Sequence, residues 1–284
     1  MPALALPVLR ARAMLDALAR LERLLGGLPR LAIAVSGGVD SLTLAHVASR
    51  QADLVLTVLH AVSPAVPAAA TERVRRHARE AGWALSVIDA GEFADPGYRR
   101  NPIDRCFHCK TNLYARIRGV TDAPIASGTN LDDLGEYRPG LEAAREHGVR
   151  HPFVEAGIGK STVREIAAYL RLDDIAELPA QPCLASRIET GIAIDARDLA
   201  FVARVEEAVA QLVGPGDIRC RVTADGIRLE LEPQLLERTP DAGDRLDRLV
   251  AGLCAAEGRR YAGRRAYRRG SAFRLERLDA AASR

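Results

Sequence analysis

Lysine is almost missing from this chain of 284 residues: only Lys110 and Lys160 stand among 40 basic residues, and the rest are arginine. A GC-rich coding sequence produces that bias, so arginine-rich stretches must be discounted before they are read as functional. The two lysines are correspondingly less readily dismissed as surface filler. A leader is missing too. The start, Met1-Pro2-Ala3-Leu4-Ala5-Leu6-Pro7, has no positive region, and its apolar stretch is short and broken by prolines, so no signal peptide is expected. No apolar run approaches the ~18 residues of a membrane span, and no membrane association is expected. The net charge is only +3, which does not by itself imply a nucleic-acid partner. The signature of disorder is absent as well, since 48% of residues are apolar and 27% charged. The five cysteines, 106, 109, 183, 220 and 254, form an odd set in a chain without an export signal. That favours reduced thiols in the cytoplasm, with metal or catalytic roles ahead of disulfides.

What is present reads as two domains. Leucines at 15, 18, 21, 24 and 25 make the stripe of an amphipathic helix. Apolar runs at 31–35, 54–59, 83–88 and 124–126 read as buried strands, with helices at 41–50 and 71–81 between them. Short apolar strands alternating with helices predict an α/β fold, a doubly wound parallel sheet covered on both faces. The pattern changes near residue 190. A helix at 195–212 is followed by runs at 218–222 and 227–231 around Ala224-Asp225-Gly226, a hairpin signal. A helix near 241–257 and an arginine-rich tail complete a smaller α+β domain. The domains are therefore placed at 1–190 and 191–284.

The first strand runs directly into Ser36-Gly37-Gly38-Val39-Asp40-Ser41 and then a helix. Two glycines let the backbone turn sharply and approach a ligand. The helix start offers unpaired N–H groups and a positive dipole end, a combination that binds phosphate. Ser36 and Ser41 add hydroxyl donors. Asp40 would repel phosphate unless a cation lay between, so it is assigned to Mg²⁺. A second segment, Gly157-Ile158-Gly159-Lys160-Ser161, imitates the end of a Walker loop, but position 154, where that motif needs glycine, is Val154. Thr162-Val163-Arg164-Glu165 reads instead as a capping box opening a helix.

Cys106 and Cys109, in Asn101-Pro102-Ile103-Asp104-Arg105-Cys106-Phe107-His108-Cys109-Lys110, have a spacing that can hold a metal. Zinc would want two more ligands. An iron–sulfur cluster can be held by three thiolates, with Cys183 as the candidate third. Three unrelated thiols are the competing reading, and the chemistry alone does not choose between them.

A family resemblance does. Residues 36–41, the segment 101–110, Ser127-Gly128-Thr129-Asn130-Leu131-Asp132-Asp133, Tyr137-Arg138-Pro139-Gly140 and Pro182-Cys183-Leu184-Ala185-Ser186-Arg187-Ile188 together resemble the LarE family of ATP pyrophosphatases, over nearly the whole chain. These are sulfur transferases of nickel-pincer nucleotide biosynthesis, with an adenine nucleotide alpha-hydrolase-like PP-loop domain. The resemblance implies that ATP adenylates a carboxylate of a pyridinium dicarboxylate mononucleotide and that sulfur then displaces AMP. It implies ATP contacts from Ser36, Gly37, Gly38, Val39, Asp40, Ser41, His60, Gly128, Thr129, Asp133 and Arg138. Substrate contacts are implied for Arg187, Glu207, Arg219 and Arg221. Members with all three cysteines use them for a [4Fe-4S] cluster carrying an extra sulfide; others sacrifice the residue matching Cys183, which becomes dehydroalanine. This chain has Cys106, Cys109 and Cys183, so the cluster type is implied, with sulfide or a sulfur-delivery system as partner. Family members usually assemble as hexamers.

In the smaller domain, alternation along Ile218-Arg219-Cys220-Arg221-Val222 puts the two arginines on one strand face and Cys220 on the other, where it reads as core. Residues 259–277 hold eight arginines and a single acidic residue, Glu276. That supports a runner-up, a PP-loop tRNA thiolase, although the tail has few aromatic residues on which bases could stack. A non-catalytic nucleotide-binding regulator is a third reading.

Overall fold

A computed structural model describes residues 5–135, 138–238, 242–268 and 270–272. Along the chain run α1 (Ala5–Gly26), β1 (Arg30–Ala34), α2 (Val39–Ala48), β2 (Val55–Val62), α3 (Ala68–Ala81), β3 (Leu85–Asp89), α4 (Pro96–Arg99), α5 (Arg105–Arg118), β4 (Ile125–Ser127), α6 (Pro139–Glu146), α7 (Pro152–Glu155), α8 (Lys160–Tyr169) and α9 (Asp173–Ala176). Then follow α10 (Ala196–Val213), β5 (Ile218–Thr223), β6 (Gly226–Leu231), α11 (Pro233–Arg238), α12 (Gly243–Ala256) and β7 (Tyr261–Ala266). The chain divides into two compact units, Met1–Glu92 with Cys106–Gln181, and Phe93–Arg105 with Pro182–Arg284.

The first unit is α/β. Its four strands are all parallel, in the order β3-β2-β1-β4. Successive residues of β1 point to opposite faces, so Leu31 and Ile33 join one core and Ala32 the other. The first core takes Leu18, Leu21 and Leu25 of α1 and Leu42 and Leu44 of α2. The second takes Tyr114 and Ile117 of α5 with Ala144 of α6. A strand covered on both sides has no reason to alternate in polarity, which is why β1 reads as a continuous apolar run. The buried stripe of α1 is Met14, Ala17, Leu18, Leu21 and Leu25, while Leu15 is exposed. The chain winds outward from β1 through β2 to β3, then returns to place β4 on the other side of β1. The direction of winding therefore reverses between β1 and β4, and a ligand crevice forms at the carboxyl ends of strands flanking such a switch point.

The second unit holds a mixed sheet in the order β5-β6-β7. β5 and β6 form the antiparallel hairpin expected around Asp225, pairing Thr223 with Gly226. β7 adds in parallel to β6. α10 packs on β5 and α12, burying Phe201, Val202, Val205 and Val209 with Leu246 and Val250. Cys220 and Cys254 are fully buried, and burial pushes the Cys220 thiol well above its ordinary range. Segment 93–105 belongs to this unit through Asn101, a buried residue in the left-handed region (φ 55°). Its amide donates to the carbonyls of Glu189 and Ile192 at 2.9 Å each, and its own carbonyl accepts from Gly191.

Candidate active site

Two loops leave the sheet at its switch point, 35–38 after β1 and, after β4, one described over 128–135, starting from the paired residues Ala34 and Ser127. In the first, Gly37 has φ +84° and sits so close to α3 that a Cβ would stand 2.7 Å from the Ala70 carbonyl oxygen. Only glycine meets both demands. The loop is closed by its serines: the Ser36 amide donates to Ser41 Oγ at 3.1 Å, and the two hydroxyls lie 3.3 Å apart. Arg73 of α3 donates to the Gly37 carbonyl at 2.9 Å. α2 starts at Gly38 with no side-chain cap, so its first amides are not satisfied in the usual way.

The second loop lies against the first. A Cβ at Gly128 would stand 2.6 Å from the Ser41 nitrogen and 2.8 Å from the Asp40 carbonyl carbon. Thr129 Oγ1 is 3.0 Å from Ser127 Oγ. Asn130 donates from its side chain to Asp40 Oδ1 at 3.1 Å and from its backbone to Asp133 Oδ2 at 3.1 Å. Arg138 pairs with Asp133 at 2.9 Å. Ser36 to Gly38, the first turn of α2 (Val39 to Ser41), and Gly128, Thr129, Asp133 and Arg138 therefore belong to adjoining segments. Tyr137, from the same sequence stretch, lies outside the described residues.

His60 stands apart from that surface. It is fully buried at 1% exposure, with Nδ1 donating to the Val35 carbonyl and Nε2 accepting from Thr71 Oγ1, both at 2.9 Å. Burial lowers its pKa and keeps it neutral. Its ring fastens the end of β1 to α3 from behind the loop.

At Lys160 the structure departs from the capping segment expected from the sequence. The helix begins at Lys160, two residues before Thr162, and the side chain of its N-cap residue Gly159 can supply no cap, so the expected capping box does not form. Lys160 Nζ instead lies 2.5 Å from Asp40 Oδ2, and the Lys160 amide donates to Asp132. Both Asp40 oxygens thus have partners. One carboxylate suits Mg²⁺ as a single ligand beside substrate phosphates, the usual arrangement for that ion. Among the described residues no group of three His, Cys, Asp or Glu side chains gathers as a metal site.

Cys106 and Cys109 lie one turn apart on α5, spaced to face the same way; Cys106 is exposed and Cys109 half-buried. Their soft thiolates suit iron and sulfide. Cys183 belongs to the second unit and is exposed. There Arg187 is buried and donates to both Glu206 oxygens at 2.9 Å and to the Pro182 and Cys183 carbonyls. Burial is the largest influence on Arg187 and opposes its charge. The bonds and charge of Glu206, with smaller help from Cys183 and Tyr267, raise its pKa nonetheless. Glu207, the acidic residue singled out from the sequence, is exposed. The apolar stripe of α10 accounts for the difference, because Glu206 follows Val202 by four residues and Glu207 does not share that face.

Arg219 and Arg221 are buried on one strand face, as alternation predicts, with their guanidiniums 5.3 and 6.0 Å from the Tyr267 ring centre. Arg219 pairs with Asp217 and Arg221 with the fully buried Glu230, each at 2.8 Å. Arginines of the basic tail are also engaged within the unit: Arg259 with Asp198, Arg264 with Asp247 and Arg265 with Glu230. Arg269, Arg274 and Arg277 lie outside the described residues.

No protein-family model matches the chain. An uncharacterized protein of Synechocystis sp., slr1717, is 36% identical over 225 residues, which is 78% of this chain and 83% of that protein. MJ0830 of Methanocaldococcus jannaschii, also uncharacterized, is 29% identical over 210 residues, 72% of this chain and 79% of that one. The pyridinium-3,5-bisthiocarboxylic acid mononucleotide synthase of Lactiplantibacillus plantarum is 26% identical over 243 residues, 83% of this chain and 86% of the synthase.

Proposed function

Since the chain belongs to the family of slr1717, we propose that it is a LarE-like, ATP-dependent sulfur transferase that turns a carboxylate of a pyridinium dicarboxylate mononucleotide into a thiocarboxylate. The observation that carries this reading is the closure of two loops over the start of α2 at the sheet's switch point, with Gly128 pressed on Asp40 and Ser41. Its likeness to the Lactiplantibacillus synthase supplies the substrate class.

The chemistry divides in two. A carboxylate is a poor electrophile at neutral pH. Its oxygen attacks the α-phosphorus of ATP, pyrophosphate leaves, and the acyl adenylate forms. A sulfur nucleophile then attacks the acyl carbon, the bond to the AMP oxygen breaks, and AMP departs. In this account Ser36, Gly37, Gly38, Val39 and Ser41 bind the pyrophosphate, and Gly128, Thr129, Asp133 and Arg138 hold the rest of the nucleotide. His60 keeps the loop in place from behind. Mg²⁺ at Asp40 would neutralise phosphate charge. Arg187, Arg219 and Arg221 bind the anionic acceptor, Arg187 being kept charged by Glu206.

A [4Fe-4S] cluster on Cys106, Cys109 and Cys183 would supply sulfide as the nucleophile. A second source is favoured by one observation, the exposed Cys183 thiol next to the Arg187 charge. In that route the Cys183 thiolate attacks the acyl carbon, and β-elimination leaves the sulfur on the product and dehydroalanine at 183. The pairing of Arg259, Arg264 and Arg265 within their own unit counts against the tRNA thiolase. We further propose a cytoplasmic homo-oligomer, a hexamer on the family pattern.

ATP-dependent release of pyrophosphate, measured with and without the dicarboxylate nucleotide, tests the activation step. Release only with that acceptor supports the reading, and no release in either case removes it.

A further inference from the structure

Ser127 Oγ lies 2.9 Å from His151 Nδ1 and 3.0 Å from Thr129 Oγ1, so one buried serine joins an imidazole to the 128–135 loop. We propose that His151 is a positioning residue for the nucleotide: acting through Ser127, it sets whether the Thr129 hydroxyl donates or accepts, and in the nucleotide complex its Nδ1 carries a hydrogen so that Thr129 donates to the bound anion. This inference rests on the nucleotide reading given above.

Backbone pairing brings the three residues together. Arg150 bridges to Ala126 in parallel with β4: the Ser127 amide donates to the Arg150 carbonyl at 3.1 Å, and the Arg150 amide donates to the Ile125 carbonyl at 2.8 Å. His151 follows directly, and its own amide donates to Glu155 at 3.2 Å. The ring is therefore presented to Ser127 by a fixed piece of chain. A hydroxyl carries one hydrogen, so Ser127 donates in only one of its two side-chain bonds. Accepting in both would leave that hydrogen unused at a buried site, which is costly. The relay thus runs one of two ways. With His151 Nδ1 bare, Ser127 donates to it and Thr129 donates to Ser127, and Thr129 shows a ligand only lone pairs. With a hydrogen on Nδ1 both bonds reverse, and the Thr129 hydrogen is free to point at a phosphate oxygen.

Charged groups face His151 from the elements around it: Glu155 on α7, Asp133 in the 128–135 loop and Lys110 on α5. Glu155 in turn pairs with Arg150, and Asp133 with Arg138. Burial foremost lowers the His151 pKa, and Lys110 lowers it further, against the pull of Glu155 and Asp133. In the free protein the imidazole is therefore neutral at neutral pH, with its one hydrogen on either nitrogen. A bound phosphate favours hydrogen on Nδ1, either as that tautomer or as the imidazolium, in which both nitrogens donate.

The test follows the imidazole nitrogens of the full chain by NMR at about pH 7, with and without ATP and Mg²⁺, the His151 signals being identified by their loss in His151→Asn. ATP binding is measured by calorimetry on the same samples. Hydrogen at His151 Nδ1 should increase when ATP binds. Ser127→Ala, which cuts the relay at its centre, should bind ATP about three- to tenfold more weakly, the worth of one hydrogen bond, and its His151 nitrogens should no longer respond. A merely structural bond would leave those nitrogens unchanged by ATP. Hydrogen at Nδ1 that stays the same or decreases in the parent overturns the proposal, as does a full response in Ser127→Ala. Should Ser127→Ala fail to fold or to bind ATP, the parent nitrogens alone decide. A parent chain that does not bind ATP removes the nucleotide reading itself, a result distinct from failure of the relay.

Discussion

Gly128 lies so close to Ser41 that the smallest side chain at 128 would stand 2.6 Å from the Ser41 amide nitrogen. The neighbouring atoms are backbone, at the start of α2, and cannot step aside as the end of a flexible side chain can. Gly128→Ala should therefore cost about 1–3 kcal/mol of stability, as overpacking does. It should weaken ATP binding by more than that stability loss alone explains, because the shift falls on the loop. A urea titration and an ATP-binding isotherm on the same preparation check both parts. An alanine variant with wild-type affinity removes Gly128 from the site.

Glu206 and Glu207 are neighbours in sequence with different positions in the structure. Glu206 pairs with buried Arg187 and accepts from the Cys220 amide at 2.9 Å; Glu207 is exposed. Glu206→Gln removes the charge facing a buried guanidinium and should cost about 3–5 kcal/mol, the usual consequence of breaking such a pair. Glu207→Gln should stay within about 0.5 kcal/mol of the parent. Denaturant midpoints for the two variants decide, and equal losses would contradict the assignment.

Acid should weaken the first unit through His46. Its Nε2 lies 2.8 Å from His77 Nδ1, and His77 Nε2 lies 3.0 Å from Asp174 Oδ2. Burial foremost, then the charges of His77 and Arg50, lower the His46 pKa from 6.5 to about 4, against the opposing pull of Asp174. Between those values the unfolded chain holds the extra proton, so stability falls as pH drops through that window. Urea midpoints at about pH 7 and about pH 5 should differ less in His46→Gln than in the parent. An unchanged difference would exclude His46 as the source.

Much of this architecture is legible in the residues, for identifiable reasons. The strands of the first sheet stand out because a strand buried on both faces carries no polar alternation. The 36–41 loop stands out because two glycines and two serines meet between a strand and a helix. α5 escaped notice. Its first turns, Cys106-Phe107-His108-Cys109-Lys110, show no apolar stripe, and its buried contacts, Tyr114 and Ile117, come late. β7 is similarly hidden, because Tyr261-Ala262-Gly263-Arg264-Arg265-Ala266 does not alternate and pairs in parallel with a strand distant in sequence. Asn101 reads from sequence as a flank of the cysteine pair, but its amide is what ties 93–105 to 189–192. Around Lys160 the Walker pattern fails for want of a glycine at 154, so the local sequence does not show its partner. Its contact with Asp40 spans 120 residues and depends on tertiary packing that no local pattern records.

The central claim is that sulfur replaces oxygen on a carboxylate activated by ATP. It is tested most directly by mass spectrometry of the pyridinium dicarboxylate mononucleotide. The full chain, reconstituted anaerobically with iron and sulfide, is incubated with excess ATP, Mg²⁺ and that nucleotide. The account predicts a thiocarboxylate product formed in amounts exceeding the protein, with one AMP and one pyrophosphate for each sulfur transferred and with Cys183 intact. Product limited to one per chain, with dehydroalanine at 183, would replace the cluster by Cys183 as the sulfur source. A nucleotide recovered with its oxygens unchanged, from protein that binds ATP and carries its cluster, would contradict the account itself.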